Sequence, residues 1–280
     1  MEGMKPIRMI AVDMDGTLLD SSQQIPKENA QALIEAARAG IAVVICSGRM
    51  VEDVSRFARE SDIPCMIASG NGARLLDAPL PGGRIIARHD MPTDGTIQHV
   101  LDVLLEEGLI VNGFRDGEVY TIRPAGAPEW QHHLARRKLA RIFYGEEPMR
   151  RAAQAGLIKI VAVQMKADGS LARARERLRD VAGIETTSSW TDNIEIMPAG
   201  VDKGSALREL GAYLGIAPEE IMAIGDQEND RPMLQLAGHS TAMGNATNEI
   251  KALCRHQTRT NDEAGVAWAV RRWALGEERA

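Results

Sequence analysis

Asp13 and Asp15 stand two residues apart in Asp13-Met14-Asp15-Gly16-Thr17-Leu18-Leu19-Asp20, directly after the apolar run Ile7-Arg8-Met9-Ile10-Ala11-Val12. Two carboxylates this close disfavour each other's ionisation unless a cation lies between them. A hard divalent ion that prefers oxygen ligands, Mg²⁺, suits them. With the charge screened, one carboxylate is free to act as a nucleophile and the other to carry protons. The bland alternative is a strand end with an Asp-Gly turn and solvated acids.

Three further groups occupy comparable positions. Ser47-Gly48-Arg49 follows the apolar run Ile41–Cys46. Its hydroxyl and backbone N–H groups could hold phosphate oxygens near the next helix N-terminus, or Ser47 could simply cap that helix. Lys203, in Gly200-Val201-Asp202-Lys203-Gly204, opens a predicted helix. The macrodipole favours anions there, so a cation is explained by a phosphoryl group to neutralise; the alternative is an exposed lysine. Gly225-Asp226-Gln227-Glu228-Asn229-Asp230 follows the apolar Ile221–Ile224, and Asp226 could complete a metal site with Asp13. Ligands of open α/β sheets bind beyond the carboxyl ends of the strands, and all four features fall at such ends, in order.

The elements that must position these groups alternate. Pro26 opens a helical pattern (Ala30, Leu33, Ile34, Ala37) that Gly40 closes, the usual punctuation. Continuous apolar runs at 41–46 and 66–68 suit strands covered on both faces. A helix through Val51, Val54, Phe57 and Ala58 separates them, which implies a parallel sheet with right-handed crossovers. From Pro79-Leu80-Pro81-Gly82-Gly83 to Pro198 the rhythm becomes antiparallel, with Arg115-Asp116-Gly117 as a hairpin turn. Strands are predicted at 109–112, 118–122, 158–165, 185–190 and 193–197, and helices at 96–107, 129–141 and 170–181. After Pro198 the first rhythm returns, with a helix over 203–214, a strand at 221–224 and a helix over 232–237. The expected fold is α/β: a Rossmann-like parallel-sheet core (1–83 and 199–280) carrying an inserted α+β cap (84–198), a lid for the site.

Composition is that of a globular domain pair. The chain has 280 residues and a formal net charge of −6, a balance that argues against a nucleic-acid surface. Arg136-Arg137-Lys138 and the arginines of 173–179 read as solvated helix faces. Adjacent His132-His133 point apart on a helix and make no zinc site. The C-terminal Val266, Trp268, Ala269, Val270, Trp273 and Ala274 read as core packing. Cys46, Cys65 and Cys254 show no metal spacing and are expected as reduced, buried thiols. No secretory leader or membrane-length apolar run is visible, so a cytoplasmic protein is expected. Oligomeric state is not legible.

The four motifs resemble those of the haloacid dehalogenase (HAD) superfamily, and the layout resembles its Cof-type phosphatases, with a large cap inserted after the third core strand. Residues 13–19 match DxDGTLL, Ser47-Gly48-Arg49 the second motif, Lys203 the third, and 225–230 the GDxxND fourth. Gly70-Asn71-Gly72-Ala73, Ile194–Pro198, Ala242–Ala246 and Asn261–Val266 fit as well. The resemblance implies that Asp13 attacks phosphorus and becomes an aspartyl-phosphate, while Asp15 protonates the leaving oxygen and then takes a proton from water. It implies Mg²⁺ on Asp13, the Asp15 carbonyl and Asp226. Phosphate contacts would come from Met14 and Asp15 N–H, Ser47, Gly48, Lys203 and Asn229, with Asp230 orienting Lys203 or water at the metal. The partner would be a small phosphorylated metabolite, sugar phosphates first, then pyridoxal phosphate or flavin mononucleotide. Arg115 and Trp190 are candidate cap contacts to it, among Arg88, His89, Tyr120 and Arg123. A phosphomutase or phosphotransferase on the same scaffold, or a non-catalytic phosphosugar-binding protein, are the alternatives.

Overall fold

A computed structural model describes residues 5–123, 141–188 and 191–276. They form two compact units, Met1–Arg88 with Asp202–Ala280, and His89–Val201. The first unit is built on β1 (Met9–Asp13), whose five residues are all buried. A strand apolar from Met9 to Val12 and buried throughout belongs in the middle of a parallel sheet, covered on both faces. Accordingly β1 lies between β2 (Ala42–Cys46) and β12 (Ile221–Gly225), with Met9 opposite both Ala42 and Ile221.

The full order of this sheet is β14-β13-β12-β1-β2-β3-β4-β5. β3 is Met66–Ser69, β13 His239–Ala242 and β14 His256–Gln257. These six neighbours are parallel, so the chain emerges from β12, β1, β2 and β3 at the same edge. Two short antiparallel strands, β4 (Arg74–Leu76) and β5 (Ile85–Arg88), then extend the sheet. The expected insert boundaries at 83/84 and 198/199 are therefore corrected to 88/89 and 201/202, because β5 pairs with β4 and stays in the first sheet.

Helix α1 (Lys27–Arg38) follows Pro26 and ends before Gly40, at φ +84°. α2 (Val51–Glu60) joins β2 to β3. The second unit holds a six-stranded sheet, β10-β11-β9-β6-β7-β8. In it β6 (Ile110–Arg115) and β7 (Glu118–Ile122) form the expected hairpin, Arg115 facing Glu118 across Asp116-Gly117. β8 is Arg141–Tyr144, β9 Lys159–Val163, β10 Ile184–Thr187 and β11 Asn193–Pro198. Helices α3 (Thr96–Glu106), α4 (Glu146–Ala155) and α5 (Ser170–Leu178) share one core with this sheet, through Leu104, Met149 and Ala174 against Val111, Ile160 and Ile194.

One expectation in this unit is corrected: Arg141 opens a strand rather than ending the helix expected at 129–141, the rest of which lies outside the described residues. Helix α4 was not expected. His132, His133 and Arg136-Arg137-Lys138 lie outside the described residues. The arginines of α5 pair across the surface, Arg173 with Glu107 and Arg177 with Glu106. Back in the first unit, α6 (Lys203–Leu214), α7 (Arg231–Leu236), α8 (Asn248–Leu253) and α9 (Gly265–Ala269) complete the layers. Val266, Ala269 and Val270 are buried in its core, and Trp273 and Ala274 pack against it. The cysteines are free thiols, Cys46 and Cys65 buried. Among the described residues no helix is long and apolar enough to cross a membrane.

The core of the first unit makes a direct stability prediction. Leu33 on α1 is fully buried, and truncating such a side chain loses its transfer free energy and leaves a cavity. Leu33→Ala is expected to cost about 3 kcal/mol, read as a lower urea midpoint at unchanged slope.

Candidate active site

The site begins where β1 ends. Asp13 is its last residue and is only 5% exposed. The next turn, Met14–Leu18, departs from helical geometry at Asp15 (ψ 115°) and Gly16 (φ +81°). Glycine is needed there twice over: the backbone is left-handed, and a Cβ would lie 2.5 Å from Asp226 Oδ2. The close approach lets Thr17 Oγ1 donate to Asp226 Oδ1 at 2.7 Å. Asp226 itself follows the last residue of β12, the strand beside β1.

Lys203 enters from α6. Asp202 caps that helix, accepting from Ser205 N–H at 2.7 Å while Ser205 Oγ accepts from Asp202 N–H at 2.9 Å. The cap places Lys203 in the first turn, with no solvent exposure. Its Nζ donates to Asp13 Oδ1 at 2.5 Å and to Asp230 Oδ1 at 2.6 Å. Asp230 Oδ2 in turn accepts from Asp226 N–H at 2.9 Å and Gln227 N–H at 3.0 Å. One oxygen from each of Asp13, Asp226 and Asp230 lies within 4.8 Å of the others.

Three buried carboxylates thus face one ammonium. Burial, then the charge of Asp230, raise the Asp13 pKa well above the ordinary carboxylate value, against the pull of Lys203. Burial and Asp230 push Asp226 up to about 6. Burial lowers the proton affinity of Lys203, but Asp13 and Asp230 outweigh it and hold its pKa above that of an ordinary lysine. The surplus negative charge and the all-oxygen donor set fit a hard divalent cation.

Asp15 does not share this cluster through its carboxylate. It is gripped by Arg49, which donates from Nε at 2.8 Å and from Nη2 at 2.5 Å, and whose Nη2 also donates to Gln23 Oε1 at 2.6 Å. The expectation that Asp13 and Asp15 crowd each other is corrected: the turn at Asp15-Gly16 parts them, and the acids crowding Asp13 are Asp226 and Asp230.

Ser47 is buried, just past β2. It does not cap α2, whose N-cap is Met50; its Oγ instead accepts from Arg49 N–H at 3.1 Å. The Ser47–Arg49 loop is stitched to the end of β3, where Asn71 N–H donates to Ser47 O and Gly70 N–H to Arg49 O, each at 2.9 Å. Gly48 lies against the Asn71 amide, 3.0 Å from Oδ1 to where a Cβ would stand. Met14 is buried, its carbonyl accepting from Leu19 N–H at 2.9 Å. Asn229 is half-buried in the turn before α7. Arg115 belongs to the second unit, and Trp190 lies outside the described residues.

Sequence reasoning assigned no role to Arg49, Thr17, Asn245 or Asn261. Arg49 stood inside a quoted motif, yet its partner lies 34 positions away. Thr17 and Asp226 are 209 apart.

The chain matches the family of haloacid dehalogenase-like hydrolases over residues 10–270. It is 32% identical to the 5-amino-6-(5-phospho-D-ribitylamino)uracil phosphatase YwtE of Bacillus subtilis, across 97% of this chain and 99% of that protein. Identity to phosphatase YwpJ of the same organism is also 32%, across 93% of this chain and 98% of that protein. A solved haloacid dehalogenase-like hydrolase from B. subtilis has the same fold, with a TM-score of 0.82 at 29% identity, covering 95% of this chain and 99% of that one. With the match running through both units and through every strand end described above, the chain belongs to the haloacid dehalogenase-like hydrolase family.

Proposed function

We propose that the chain is a phosphatase that hydrolyses small phosphomonoesters, sugar or sugar-alcohol phosphates first, through an aspartyl-phosphate on Asp13. The observation carrying this reading is the buried contact of Asp13 with Lys203, backed by Asp230 and Asp226. Lys203 holds the Asp13 carboxylate in one orientation and keeps a positive charge where phosphoryl oxygens arrive. The two relatives named above are both phosphatases, one of them acting on a ribityl phosphate by its name.

In the first step an Asp13 oxygen forms the bond to phosphorus as the bond to the alcohol oxygen breaks. The electron pair leaves with that oxygen, which takes a proton from Asp15. In the second step Asp15 takes a proton from water as the water oxygen attacks phosphorus; inorganic phosphate departs and Asp13 is free again. Arg49 donates to both Asp15 oxygens, so each proton transfer requires it to release one of them while it holds the other. Met14 and Asp15 N–H, Ser47, Gly48 N–H, Lys203 and Asn229 steady the phosphoryl oxygens, positioning and charge being most of what this chemistry asks of a protein. Mg²⁺, held by Asp13, the Asp15 carbonyl and Asp226, would supply further charge neutralisation. Asp230 keeps Lys203 aimed at Asp13.

Two predictions follow from these assignments. Phosphate release from a panel of sugar phosphates, sugar-alcohol phosphates, pyridoxal phosphate and flavin mononucleotide is expected with Mg²⁺ and not with EDTA. Asp13→Asn should lower turnover by on the order of 10³-fold or more; silence across the panel from folded wild-type protein would overturn the reading. The second prediction concerns pH. Because burial raises the folded-state pKa of Asp226 from 3.8 to about 6, its contribution to stability is whole below the lower value and lost as pH rises through the higher. In EDTA, wild type should therefore lose melting temperature relative to Asp226→Asn as pH rises from 4 to 7, and Mg²⁺ should reverse the loss. A difference between the two proteins that does not change with pH would contradict the assignment.

A further inference from the structure

The turn after Asp13 is held from outside by side chains that the mechanism above does not use. Asn245 Nδ2 donates to Gly16 O at 2.8 Å. Asn261 Nδ2 donates to Leu19 O at 3.0 Å. Asp262 Oδ1 accepts from Ser21 N–H at 2.8 Å. The three grips fall at 16, 19 and 21, along one strip of backbone that starts at the residue after Asp15.

The gripping side is braced. Asn245 Oδ1 accepts from the backbone N–H of Asn261 at 3.0 Å, tying the Asn245 carboxamide to the turn that bears Asn261 and fixing which end of it faces Gly16. Gly244 N–H donates to Arg259 O at 2.9 Å, tying the loop after β13 to the loop after β14. Glu263 Oε2 accepts from Thr260 N–H at 3.2 Å and Thr260 Oγ1 at 2.7 Å, closing the turn that bears Asn261. Asn245 is exposed and Asn261 half-buried, so apolar burial does not explain the pair. The Gly16 carbonyl, at a half-buried residue, could turn to water if released, whereas Leu19 is buried and its carbonyl relies on Asn261. What the two amides supply is a fixed direction for the turn that carries Asp15 and lies against Asp226.

We propose that Asn245 and Asn261 are positioning residues for the reaction, a clasp that fixes the Gly16–Ser21 backbone and through it the placement of Asp15. The inference rests on the phosphatase reading for its kinetic arm only. Turnover of p-nitrophenyl phosphate with Mg²⁺ is measured for wild type, Asn245→Ala, Asn245→Asp and Asn245→Ala/Asn261→Ala, beside hydrogen exchange of peptides spanning 14–24 and melting temperature. The double variant should lose about tenfold or more in kcat, misplacement of an acting group being costly in rate, with KM within about twofold, since Ser47, Gly48, Lys203 and Asn229 hold phosphate from other segments. Exchange over 14–24 should quicken while that of β1 and β12 stays as it was. Asn245→Asp keeps the shape and the acceptor for Asn261 N–H but has no donor for Gly16 O, so it should behave as Asn245→Ala; a merely structural filler would be rescued by it. Unchanged exchange over 14–24, wild-type kcat despite quickened exchange, or wild-type kcat in Asn245→Asp would each overturn the clasp. If wild type turns over neither p-nitrophenyl phosphate nor any member of the panel above, the phosphatase reading fails and the clasp is judged on exchange alone.

Discussion

An ammonium with no contact to solvent sits between two buried carboxylates, and much of the first unit is arranged around that placement. Lys203 reaches Asp13 and Asp230, with Asp226 beside them. Removing one partner from such a group strands a charge in a medium that screens it poorly, at about 3–5 kcal/mol. The groups that meet here lie 190 and 27 positions apart in the chain. Bringing them together requires β1 and β12 to be neighbours and α6 to begin at their carboxyl edge. Both follow from the parallel order of the sheet and from the chain's return to the first unit at Asp202. The cap at Asp202 puts a negative group at the start of α6, where the helix dipole alone would disfavour a lysine.

The different surroundings of Asp13 and Asp15 have a backbone cause. In an extended strand, residues two apart would share a face. Here the chain leaves the strand at Asp13 and turns at Gly16, so Asp13 joins the Asp226–Asp230 cluster while Asp15 meets Arg49. One carboxylate is buried and held against a lysine; the other is about half exposed, at 51% of its side-chain surface, and held by a guanidinium. The two acids thus stand in different surroundings, one in the interior beside an ammonium and the other toward the surface on a guanidinium.

Much of this was legible in the residues. The runs at 9–12, 42–46 and 221–224 are apolar without interruption, which marks central parallel strands, and each is followed by a polar motif. The Asp116-Gly117 hairpin turn was legible from its dipeptide. The helix over 203–214 opens at Lys203, as expected from the sequence. Other features were not. β4 has three residues, too few to show a period, so β5 was taken into the insert. α4 carries local signals, two glutamates in the first turn and Gly156 after its end, but no helix was expected there. Arg49 with Asp15, Thr17 with Asp226, and the carboxamide contacts of Asn245 and Asn261 join distant segments, and no local pattern in the sequence encodes a partner.

The most direct test asks where the phosphoryl group goes. Protein quenched in acid during turnover of a sugar phosphate with Mg²⁺ would be digested and mapped by mass spectrometry, with wild type and Asp13→Asn side by side. The expected result is a phosphoryl group on Asp13, in the wild-type sample alone. A phosphoryl group on another residue, or an active wild type that never carries one, would contradict the role given to the carboxylate that Lys203 holds.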